Sequence, residues 1–131
     1  MKILIVEDEL KTGAYVQQGL VEAGFVVDLD RDGTDGLHHA LTEAYDLLVL
    51  DVMLPGMNGL NILTELKGDS QTADIPVIML TNYGSEDNVK KALENGAADY
   101  IMKYKILPSE LSDKIEVVLG TSNDSDVRIA V

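Results

Sequence analysis

A set of polar residues stands where the chain has just left an apolar run. Glu7 and Asp8 follow KILIV (2–6), Asp51 follows DLLVL (46–50), Thr81 follows PVIML (76–80), and Lys103 follows ADYIM (98–102). A carboxylate at the end of a buried run costs desolvation energy unless something compensates it. Glu7, Asp8 and Asp51, if brought together, repel one another and call for a cation. Oxygen donors without cysteine or a placed histidine suit a hard ion, and a few carboxylates with a backbone carbonyl and water suit Mg²⁺ better than Ca²⁺. Lys103 adds a positive charge and Thr81 a hydroxyl, which together fit an anion beside the metal, a phosphoryl group above all. A carboxylate is also a competent nucleophile. Asp51 then reads as a phosphoacceptor, converted to an aspartyl phosphate.

These residues can act together only if the strands carrying them end on one rim. Apolar runs do alternate with segments of helical period. KILIV (2–6) is followed by Leu10, Gly13, Val16, Leu20 and Ala23 at helical spacing, with Gly24 as a stop. FVVDL (25–29) precedes a stripe of Gly36, Leu37, Ala40, Leu41 and Ala44. DLLVL (46–50) precedes a helix capped by Asn58 and carrying Ile62, Leu63 and Leu66. PVIML (76–80) precedes a helix capped by Ser85, carrying Val89, Ala92 and Leu93 and ending at Gly96. ADYIM (98–102) precedes a helix that Pro108 opens and that runs through Leu111, Ile115 and Val118 to Leu119. This alternation predicts an α/β domain, a five-stranded parallel sheet with helices on both faces. The central strands are apolar throughout, as burial on both faces demands. In such sheets, ligands bind beyond the carboxyl ends of the strands.

VED (6–8), LDVMLPGMNG (50–59), LT (80–81) and DYIMK (99–103) resemble, in order and spacing, the motifs of the receiver domain of bacterial two-component response regulators, over about residues 2–119. The resemblance implies a doubly wound, flavodoxin-like sheet in the order 2-1-3-4-5. It implies Mg²⁺-dependent transfer of a phosphoryl group onto Asp51 from a sensor histidine kinase, a phosphotransfer protein or a small phosphodonor. The face made by the fourth helix, fifth strand and fifth helix would then switch and control an output. Such a domain is not a turnover enzyme, since it catalyses only its own phosphorylation and dephosphorylation. By this resemblance Asp8, with Glu7, holds Mg²⁺, Asp51 ligates it too, and Met53 lends its backbone carbonyl. Thr81 and Lys103 contact the phosphoryl oxygens, and Tyr100 is the aromatic that turns inward when Thr81 moves. Met53 and Tyr83, two positions after Asp51 and Thr81, flank the path of an attacking water, and neither is suited to orienting one. A slowly decaying phosphoryl state is the expectation. One departure is Tyr104, where the family places a proline after a cis peptide. A cis bond before a non-proline residue costs about 2.5–4 kcal/mol, so a trans bond is expected. Residues 1–66, especially KTGAYVQQGLVEAGFVVDL (11–29), most resemble metal-responsive regulators that carry a winged-helix DNA-binding domain. KKALENGAADYIMKYKILPSEL (90–111) looks more like free-standing receivers, a combination that admits a hybrid chain.

The 131 residues suffice for one domain, placed at 1–120, with the polar TSNDSDVRIAV (121–131) expected to be a disordered tail. A formal net charge of −13 opposes nucleic-acid binding, so any DNA contact would belong to an output domain or protein outside this sequence. The absence of cysteine excludes disulfides and thiolate chemistry. No apolar run approaches the ~18 residues of a membrane span, and no signal-peptide pattern precedes the first strand. A cytoplasmic domain with no membrane partner is expected, and a homodimer through the switch face is left open.

Other functions fit less well. An aspartyl phosphatase would want a second acid where Met53 stands. A flavodoxin-like redox protein needs a phosphate-binding loop after the first strand, where EDELKTG (7–13) is acidic. A phosphorylation-independent interaction module has no need of the intact site. His38 and His39 read as solvated helix residues, the methionines as core and rim filling, and Gly56 and Gly59 as turn residues.

Overall fold

The protein's structure, a computed structural model, describes residues 1–81, 86–103 and 107–120. Strand and helix alternate along it: β1 (Lys2–Val6), α1 (Leu10–Glu22), β2 (Val26–Asp30), α2 (Gly33–Thr42), β3 (Leu47–Asp51), α3 (Gly59–Lys67), β4 (Val77–Thr81), α4 (Glu86–Glu94), β5 (Asp99–Met102) and α5 (Pro108–Leu119). Parallel neighbours cannot be joined by a tight turn, so each connection carries a helix across the sheet. The pairings are all parallel, in the order β2-β1-β3-β4-β5.

Alternation along the strands divides the core in two. Leu4, Val6, Leu48, Leu50, Val77 and Met79 face Ala40, Ile62, Leu63, Leu66 and Ala92 of α2, α3 and α4. Ile3, Ile5, Leu47, Val49, Ile78, Leu80 and Ile101 face Val16, Leu20, Leu111 and Ile115 of α1 and α5. The inner strands are thus apolar on both faces, whereas β2, at the edge, is only partly covered.

Local chemistry sets the helix ends. The Asp32 side chain accepts from the backbone N–H of Thr34 and Asp35, and that of Asn58 from Asn61, which satisfies donors with no partner inside the helix. Pro108 opens α5, and Gly96 follows α4 in the left-handed region at φ 104°. Ser85, expected to cap α4, and the tail 121–131 lie outside the described residues.

The expected and observed elements differ at their margins. β2, β3 and β4 end one residue later than their apolar runs, because the ladder continues onto polar residues: Val6 pairs with Asp30, Asp51 with Leu80, and Thr81 with Met102. Leu10, Leu41 and Leu93 are exposed despite their helical spacing, and Ala44 lies beyond α2. Leu10 opens α1 at the rim of the sheet, where no strand continues beneath it. No described helix is long and apolar enough to cross a membrane.

Candidate functional site

The carboxyl ends of β1 and β3 set Glu7 and Asp51 side by side, and the chain leaving β5 brings Lys103 to them. The Lys103 Nζ lies 2.9 Å from Asp51 Oδ2, 3.1 Å from Glu7 Oε2 and 2.6 Å from Glu9 Oε1. Glu7 and Asp51 are buried, and the Lys103 side chain is only 9% exposed. Burial alone would lower the Lys103 pKa, but hydrogen bonds to Asp51 and Glu9 and the charge of Asp51 outweigh it and hold the ammonium above the usual lysine range. Lys103 therefore stays charged.

Glu7 is held less comfortably. Desolvation pushes its carboxyl up and the Asp51 charge adds to the shift, while the Glu9 backbone N–H at 2.9 Å and Lys103 oppose it, leaving a pKa of about 7. Its Oε1 is buried without a hydrogen-bond partner. Glu7, Asp8 and Asp51 each offer an oxygen within 4.8 Å of the others, a combination found nowhere else among the described residues. An orphaned inward oxygen in an all-oxygen carboxylate set is what a hard divalent cation would satisfy. The donor set fits Mg²⁺.

The loop after β3 is fastened to the site. The Met53 N–H donates to Asp51 Oδ1 at 3.1 Å, and the Met53 side chain is 61% exposed. Gly56, at φ 80°, serves the turn as expected. Gly59 does not: it is the first residue of α3, and a Cβ there would run into the Asp51 carbonyl oxygen. Its bare backbone lets α3 start directly against the end of β3, where its N–H donates to the Val52 carbonyl at 2.9 Å.

Among the described residues, the Thr81 hydroxyl hydrogen-bonds to Met102 and not to a carboxylate. Thr81 continues the set of Val77 and Met79, whereas Asp51 continues that of Leu47 and Val49 on the other face. Thr81 is fully buried, and its hydroxyl donates to Met102 Sδ at 3.1 Å. Tyr100, opposite Met79, is 37% exposed. Tyr83 and Tyr104 lie outside the described residues, as does the peptide that joins Lys103 to Tyr104. Sequence reasoning missed Glu9 and Met102. Glu9 was visible as the third acid of EDE (7–9), but Met102 enters only through the β4–β5 register. His39 also differs from expectation: its Nδ1 lies 2.7 Å from Asp30 Oδ2, and this pairing raises the imidazole pKa.

Comparisons with known proteins bear on the family and the fold. Residues 3–116 match the family model described as the response regulator receiver domain. The transcriptional regulatory protein CusR of Escherichia coli (strain K12) is 50% identical over 103 residues, which cover 79% of this chain and 44% of that protein. A putative response regulator from Chloroflexus aurantiacus J-10-fl superimposes with a TM-score of 0.86 at 28% identity, over 91% of this chain and 97% of the other. The receiver domain of the sensor histidine kinase PA1611 from Pseudomonas aeruginosa PAO1, whose active-site cleft coordinates a magnesium ion, gives a TM-score of 0.83 at 26% identity, over 92% and 98% of the two chains. The chain spans about half the length of the curated relatives it matches, from 44% to 58% among the first of them.

Proposed function

The chain belongs to the response regulator receiver domain family, as the receiver domain of a two-component response regulator, and from that premise we propose that Asp51 is its phosphoacceptor. The observation that carries this reading is the meeting of Glu7, Asp8 and Asp51 at one rim with Lys103 paired to Asp51. A phosphohistidine on a sensor kinase or phosphotransfer protein is the donor. An Asp51 carboxylate oxygen attacks phosphorus, the P–N bond breaks, and the imidazole leaves with its electron pair and is protonated. Lys103 neutralises charge on the transferring group. Buried and charged, it is positioned before the reaction and needs little reorganisation. Glu7, Asp8 and Asp51, with the Met53 carbonyl, would hold Mg²⁺, whose charge offsets that of the carboxylates and the incoming phosphoryl oxygens.

Thr81 then turns from its resting partner toward the phosphoryl group and Tyr100 moves inward, altering the face of α4, β5 and α5. This is a two-state shift biased by a local change in charge. Lys114 pairs with Asp99 on that face at 3.1 Å, where a partner or a second copy of the chain would read the change. The output is control of transcription by a domain or protein outside this sequence, in keeping with the relatives' names and with the acidic balance of this domain. Folding of residues 1–120 as one domain and a cytoplasmic location belong to the same reading. A phosphorylation-independent interaction module would need no such carboxylate cluster.

Intact-mass measurement after incubation with acetyl phosphate and Mg²⁺ tests the assignment. One phosphoryl group should add to the wild type and none to Asp51→Asn. Undiminished labelling of that variant would overturn it.

A further inference from the structure

The Thr81 hydroxyl has one proton to donate, and in this structure it goes to a sulfur. Thr81 and Met102 are directly paired across β4 and β5, so their side chains share one face of the sheet. The Oγ1–Sδ distance is 3.1 Å, and Thr81 is fully buried. Tyr100 lies two residues before Met102 on the same face of β5, opposite Met79. Met102, and not Tyr100, is thus the side chain that Thr81 bonds.

We propose that Met102 is a positioning residue for Thr81: its thioether holds the hydroxyl in the resting orientation and sets how readily Thr81 turns to the phosphoryl group. The inference rests on the phosphoacceptor reading of Asp51. A thioether is a weak acceptor. It biases the buried hydroxyl without trapping it, whereas a carbonyl or carboxylate in its place would hold Thr81 more firmly. A leucine would fill similar space but accept nothing, leaving the hydroxyl without a partner in the resting state only. The resting state then rises in free energy relative to the activated one. Binding of the phosphoryl analogue tightens.

The test is a double-mutant cycle on the affinity for beryllofluoride with Mg²⁺, followed by ¹⁹F NMR or calorimetry. Met102→Leu should tighten binding about two- to tenfold, the factor that losing the acceptor for a buried hydroxyl implies. In a Thr81→Val background the same change should alter affinity by less than about 1.5-fold, because no hydroxyl remains to be released. Met102→Ile carries the same expectation should leucine disturb the packing. An equal gain in both backgrounds would mean that Met102 acts through packing, and would overturn the inference. Unchanged or weaker binding by Met102→Leu would overturn it as well. Failure of the wild type to bind beryllofluoride at all would instead overturn the phosphoacceptor reading, and this inference with it.

Discussion

Glu7→Gln should reverse its effect on stability across the neutral pH range when no metal is present. The carboxyl stands at about 7 in the fold against an ordinary value of 4.5, chiefly because it is desolvated. A raised carboxyl favours its neutral form in the folded state, so its contribution to stability is fully present below about pH 4.5 and is lost as pH rises through about 7. Each pH unit in that window costs up to about 1.4 kcal/mol, or about 3 kcal/mol in all; solvent reaching the rim reduces this to about 2 kcal/mol. The substituted amide does not titrate, so the variant escapes the loss. Against this, Lys103 keeps Glu9 and Asp51 as charged partners among the described residues but loses the Glu7 charge, and an amide donor is left buried, together costing about 1 kcal/mol. The variant should therefore be less stable than the wild type at pH 5 and more stable at pH 8, the difference swinging by about 1.5–2 kcal/mol, or about 5–8 °C in Tm. Melting curves in EDTA from pH 5 to 8 read this directly. Saturating Mg²⁺ should raise the Tm of the wild type at pH 8 more than that of the variant, since an ion selects the ionised carboxylate. Parallel Tm profiles for the two proteins in EDTA would refute the argument, because they would show that Glu7 does not titrate in this window.

Gly59→Ala places a methyl group against the Asp51 carbonyl oxygen and the Val52 backbone, so α3 must shift away from β3. The expected cost is about 1–3 kcal/mol in urea unfolding, with slower phosphorylation of Asp51, and a melting temperature within about 1 °C of wild type would count against this close approach. If Met53 and Tyr83 shield the phosphoryl group as proposed, the combined change Met53→Asn with Tyr83→Glu would supply side chains that can orient an attacking water. Dephosphorylation should quicken severalfold, as expected if the parent barrier carries about 1–3 kcal/mol from excluding that water; equal decay in both proteins would end the shielding idea.

Much of this domain is legible in its sequence because burial on two faces leaves a plain signature. KILIV, DLLVL and PVIML are apolar almost without interruption, and only a parallel sheet covered on both sides accommodates several such runs separated by helical segments. The polar residues that end those runs fall at one rim by topology alone, which is why Glu7, Asp8, Asp51 and Lys103 could be gathered before any coordinates. The reading of Tyr100 as a switch aromatic and the roles proposed for Met53 and Tyr83 come from family resemblance, since nothing in their local pattern marks them.

What only the tertiary structure decided is which atoms meet. A run of apolar residues fixes that a strand exists but not its register with its neighbour, and one residue of slip sends every side chain to the other face. The register of β4 with β5 pairs Thr81 with Met102, so the hydroxyl that the sequence groups with Asp51 rests on a thioether instead. The same limit applies to Glu9, whose link to Lys103 spans most of the chain, and to Gly59, whose spacing reads as a turn residue until α3 is seen against the end of β3. Sequence periodicity reports how much of a residue is covered, because burial repeats with the element. Pairwise contacts across elements do not repeat, and they exist only once the strands have locked.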